Sequence, residues 1–207
     1  SCRRCEARWG SCPQPESWGF PNGSWAAYRR RVMLDEPTTI SILALWAWFG
    51  GWAIALSIVD IREHRLPNKM VALALAGTLL LAVVAATASG DPWLLLRAAA
   101  ASVAAVLAFG IGHFIGGMGM GDVKYAAVTG LALGTLGWGA VWWGHLLGFV
   151  LAGGVVVVGL LTGRMHRRSA VPFGPFMALG AILVATPSLV SALLALLTQS
   201  GPPEFPA

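Results

Sequence analysis

Apolar residues along this chain gather into six long runs, parted by short polar, glycine-bearing or proline-bearing breaks. The first run, 38–59, has enough residues at ~1.5 Å each to cross a hydrocarbon core ~30 Å thick. Runs at 70–88, 93–115, 138–162 and 174–198 read as further spanning helices. The fourth, 122–135, is shorter, roughly 20 Å if helical, which would draw its first residues towards the membrane interior. Pro67 and Asn68 mark a turn ahead of the second helix, and Asp91 is placed to cap the third. Pro172 and Pro175 suit a helix start, where the first turn has no internal N–H bond to lose. The expected fold class is therefore all-α, a polytopic membrane protein of about six transmembrane helices. A polar tail over 1–37 and a short tail over 199–207 flank a transmembrane domain at 38–198.

Composition agrees with a chain that uses the bilayer as solvent. Of 207 residues, 57% are hydrophobic and 11% charged, against about 25% charged in a soluble domain, and the mean hydropathy is +0.70. No secretory signal stands at the front, and the first run is long enough to act as an uncleaved signal-anchor. The net charge of +5 is better read loop by loop than as a nucleic-acid signal, because aromatics do not interleave with basic residues in any patch. Arg62, Arg65 and Lys69, then Lys124, then Arg164, Arg167 and Arg168 all fall on one side when six spans alternate. The short loops opposite, 89–92 and 136–137, carry neither Lys nor Arg, which assigns the basic side to the cytoplasm. Arg29, Arg30 and Arg31 disagree, since the same count puts them outside. Cys2 and Cys5 have zinc-ligand spacing, but with Cys12 they lack a fourth ligand nearby, and a ligand-free tail is expected.

Chemistry concentrates between the third and fourth runs, in Gly116 to Lys124, GGMGMGDVK. Four glycines let backbone approach closely there, and they lead into Asp122. A carboxylate in a membrane segment costs roughly 2.5–3.5 kcal/mol on insertion scales and calls for a partner. Asp60, at the end of the first run, is the candidate, on the same inferred side. Two carboxylates sharing a site hold one proton between them at neutral pH. The ionised member can take a proton from water, while the protonated one hydrogen-bonds a scissile carbonyl. No metal or other cofactor is called for; His64, His113, His145 and His166 lie in separate elements, and His113 and His145 read as hydrogen-bonded packing residues. The plain alternative is that the aspartates cap helices or pair with Arg62, Arg65 or Lys124.

Three stretches together resemble the prepilin peptidases, membrane aspartic proteases of the GxGD type. Asp60-Ile-Arg-Glu-His-Arg-Leu-Pro-Asn68 is similar to the family's first aspartate with its following turn. Gly119-Met-Gly-Asp122-Val-Lys124 carries GxGD intact, and Pro172-Phe-Gly-Pro-Phe176 with Met-Ala-Leu-Gly180 is similar to a third signature. The resemblance covers about 40–198 and is closer to the family's short forms. It implies that Asp60 and Asp122 are the catalytic pair. Gly119, Gly121, Lys124, Pro172, Gly174 and Pro175 then bind substrate or shape the site. It also implies cleavage of a short basic leader from prepilins or pseudopilins at the cytoplasmic face of the inner or plasma membrane, with no nucleic-acid partner. Long forms of the family carry paired CxxC motifs and methylate the new N-terminus. Here there is one CxxC, with no span ahead of it in this sequence, and the resemblance does not carry methyltransferase activity over. A signal-peptide-peptidase-like protease is a poorer match, as its tyrosine-aspartate and PAL motifs are absent. A non-enzymatic transport or assembly component, with the aspartates as a proton relay, is the reading from another class.

Overall fold

A computed structural model of the chain describes residues 36–63, 66–116, 119–163 and 172–199. The three cysteines, His64, Arg65, the arginines of the 163–170 loop and the last tail lie outside the described residues. The elements are α1 (Glu36–Glu63), α2 (Asn68–Ser89), α3 (Pro92–Gly116), α4 (Met120–Leu136), α5 (Trp138–Leu161) and α6 (Gly174–Gln199), and no strand occurs among the described residues. Helices α1, α2, α3, α5 and α6 are long and apolar enough to cross a membrane. At 17 residues, α4 is the short one.

The helices begin and end where backbone chemistry requires. Gly90 closes α2 in the left-handed region at φ 63°, and its N–H meets the carbonyls of Ala86 and Thr87. Asp91 Oδ1 accepts from the Trp93 N–H at 3.0 Å, capping α3 as expected. One boundary differs from the sequence reading. Asp60 to Glu63 continue α1 rather than opening a loop. Nothing in Asp-Ile-Arg-Glu breaks a helix, and Arg62 in the last turn suits the negative end of the helix dipole.

Packing sets α4 at the centre, against each of the other five helices. Its residues from Val128 to Leu136 are all buried. Small residues make the closest seam, with α3: a Cβ on Gly130 would stand 2.8 Å from the Ala101 carbonyl oxygen, and one on Gly134 would stand 2.7 Å from Ala98 Cα. Arg97, near the start of α3, donates from Nε to the Gly134 carbonyl at 2.8 Å and from Nη2 to the Thr135 carbonyl at 2.9 Å. These carbonyls close α4, where no later backbone N–H can serve them. His145 on α5 is a packing residue, with Nδ1 2.8 Å from the Val141 carbonyl and Nε2 3.1 Å from Thr129 Oγ1 on α4. The outer faces stay apolar and exposed, including Leu80, Leu107 and Val150, as a lipid-facing surface requires. Trp138, Trp142 and Trp143 are exposed at the start of α5, in keeping with an interface belt.

Candidate active site

Four helix ends meet at the far end of the bundle from Arg97. Asp60 stands in the last turn of α1 and is only 7% exposed. Pro67 keeps extended backbone at φ −62° and ψ 126°, and its carbonyl accepts from Met70 and Val71 to start α2. Asp122 lies in the first turn of α4, outside the five long spans, where an acidic residue suits the positive end of the dipole. Gly174 starts α6, and the Phe173 carbonyl accepts from Phe176 and Met177.

Contacts between these ends are specific. The Gly174 N–H donates to Asp60 Oδ2 at 3.1 Å, across 114 positions of sequence. A Cβ on Gly174 would stand 2.8 Å from that same oxygen, so only glycine lets the backbone reach it undisturbed. Gly119 and Gly121 are crowded more mildly, by side chains alone. Their added Cβ atoms would stand 3.1 Å from Asp122 Oδ2 and 3.2 Å from Leu66 Cδ1. Lys124 donates from Nζ to Asn68 Oδ1 at 2.7 Å, fastening the start of α4 to the start of α2. Pro172 and Pro175 are half-buried on either side of the Phe173–Gly174 step. Phe173 holds that step in place, its ring centroid 4.9 Å from Phe149 on α5 and 6.0 Å from Phe109 on α3.

The two carboxylates feel each other. Burial first, and then the charge of Asp60, push the Asp122 carboxyl up to about 6 from an ordinary 3.8, against a backbone hydrogen bond at Gly119 that lowers it. A carboxyl so placed can carry a proton near neutrality while its neighbour is ionised. The Tyr125 ring is 1% exposed, one turn after Asp122 on the same face of α4. Its hydroxyl has no hydrogen-bond partner among the described residues, a state that costs roughly 1–3 kcal/mol when buried.

The structure thus brings Asp60, Asp122, Gly119, Gly121, Lys124, Pro172, Gly174 and Pro175 to one end of one bundle. Sequence reasoning missed three features of this end: Asn68 as the acceptor for Lys124, the Phe109–Phe149–Phe173 cluster, and the buried Tyr125. Asn68 lay within the quoted motif, and the aromatic at 125 directly follows Lys124, so both had a positional signal. Phe109 and Phe149 carried none.

Residues 47–164 match the model of the type IV leader peptidase family, a stretch that includes both aspartates and Lys124. The chain belongs to that family. As a type IV leader peptidase family member it is 34% identical over 132 residues to the prepilin leader peptidase/N-methyltransferase of Bacillus subtilis (strain 168). The aligned stretch is 63% of this chain and 50% of that relative, so the chain spans about half the relative's length. No solved structure gives a significant match. Family membership agrees with the bundle of apolar helices.

Proposed function

We propose that this protein is an aspartic endopeptidase of the plasma membrane that removes the short basic leader from type IV prepilins or pilin-like precursors at the cytoplasmic face. The observation that carries the reading is the pair of aspartates. They are 62 positions apart in sequence, lie at the same end of the bundle, and are close enough for one charge to raise the other's proton affinity. The name of the Bacillus relative supports the substrate class.

Asp60 is the ionised partner, because the Gly174 N–H at the positive end of α6 favours its anion. Asp122 keeps the proton. A water between them gives a proton to Asp60 as its oxygen bonds to the scissile carbonyl carbon, and the Asp122 O–H stabilises the oxyanion. When the C–N bond breaks, Asp60 returns its proton to the leaving nitrogen. Lys124, Gly119, Gly121, Pro172 and Pro175 keep the helix ends in register around this exchange. The basic loops of the sequence support a cytoplasmic orientation.

The test is Asp60→Asn and Asp122→Asn, each co-expressed with a prepilin bearing a basic leader, a glycine and an apolar helix. Each variant should remain in the membrane and lose leader removal by a factor of at least about 100 on a gel-shift assay. Normal cleavage by either variant would refute the mechanism.

A further inference from the structure

The dyad uses Asp60 and Asp122 but leaves one buried polar group at the same end without a task. That group is the Tyr125 hydroxyl. Tyr125 follows Asp122 by one helical turn on one face of α4, is 1% exposed, and its hydroxyl finds no partner among the described residues. Helix α4 packs on both α1 and α6, the two elements that build the Asp60 environment. A phenol that only filled space would be better replaced by phenylalanine, which leaves no donor unsatisfied. Asp60 has one backbone donor from α6, the Gly174 N–H on Oδ2, and a carboxylate anion accepts several.

We propose that Tyr125 is a positioning residue for the dyad, whose hydroxyl donates through one bridging water to Asp60 and so keeps Asp60 the ionised member of the pair. This inference rests on the peptidase reading above. The titratable and charged groups at this end, among the described residues, are Arg62 and Glu63 on α1, Lys69 on α2, His113 on α3, and Asp122 and Lys124 on α4, while α6 has none. Lys124 is engaged by Asn68. Tyr125 is thus a neutral donor that can favour the Asp60 anion without adding a charge beside Asp122.

The experiment uses the full chain in detergent or proteoliposomes with a synthetic prepilin peptide of basic leader, glycine and apolar helix. It compares wild type with Tyr125→Phe, Tyr125→Leu, Asp60→Asn and Asp122→Asn. Tyr125→Phe keeps the ring and its packing, so it should stay folded and membrane-inserted, as a melting curve in detergent checks. Its kcat should fall about tenfold with KM little changed, and the acid limb of its pH–rate profile should move up by about half a pH unit or more. Losing a donor to the Asp60 anion makes that anion harder to form, which gives the sign. Tyr125→Leu should show the same displaced limb. A Tyr125→Phe enzyme with wild-type kcat and an unmoved limb would overturn the proposal, as would a loss seen with Leu alone, which would make Tyr125 a packing ring. Full cleavage by either Asn variant would instead remove the peptidase reading itself, so the two failures are told apart.

Discussion

Gly174 has no room for a side chain beside Asp60, and that space sets how the carboxylate sits. Gly174→Ala should leave the fold intact and lower kcat by about 10–100-fold, because displacement of a reacting group by a fraction of an ångström is expensive. Single-turnover cleavage with saturating peptide measures it. Asp122 gives two further expectations. It must hold a proton to act as donor, so kcat/KM should decline on a basic limb near the value of about 6 to which its carboxyl is pushed. The same shift bears on stability. Folding raises this carboxyl from 3.8, so the stability linked to it is complete below that value and lost as pH rises through about 6. Asp122→Asn should therefore raise the melting temperature relative to wild type at about pH 8 and much less at about pH 4. A melting temperature that gains equally at both would contradict the assignment.

Helices were legible to the extent that apolar runs and breakers define them. All six starts and stops fall within a few residues of the sequence reading, because Pro67, Gly90, Gly119 and Gly137 interrupt the ladder wherever a run ends. The last turn of α1 was misread, since charge suggests a loop although only a breaker ends a helix. That Asp60 and Asp122 would lie at one end of the bundle was legible from motif and from the cost of a membrane carboxylate. Their surroundings were not. Lys124 meets Asn68 across 56 positions and Gly174 meets Asp60 across 114, and no local pattern encodes such pairings. Arg97 illustrates the same limit. An arginine near the start of a span can reach the headgroups, yet Arg97 closes the end of α4. Arg97→Ala should destabilise the bundle by roughly 1.5–3 kcal/mol through those two carbonyls, read as a lower melting temperature in detergent. Activity well below that temperature should be retained, because Arg97 is at the opposite end from the dyad.

At the scale of the molecule, the described helices run up and down, and the proposed dyad lies at one end of the bundle. Reactive single cysteines can test which way that end faces, in a background where Cys2, Cys5 and Cys12 are replaced. Lys69→Cys, exposed at the same end as the dyad, should react with a membrane-impermeant maleimide only after cells are opened, whereas Gly139→Cys, at the other end and open to its surroundings, should react in intact cells. Enclosure of α4 by every other helix has a further outcome for how the protein tolerates change. In a saturation library, positions 128–136 should accept almost no enlargement, whereas the tryptophan-bearing side of α5 should accept most greasy replacements. Inherited variation would accordingly drift fastest on the oily exterior, and the helix bearing the second carboxylate would stay nearly frozen.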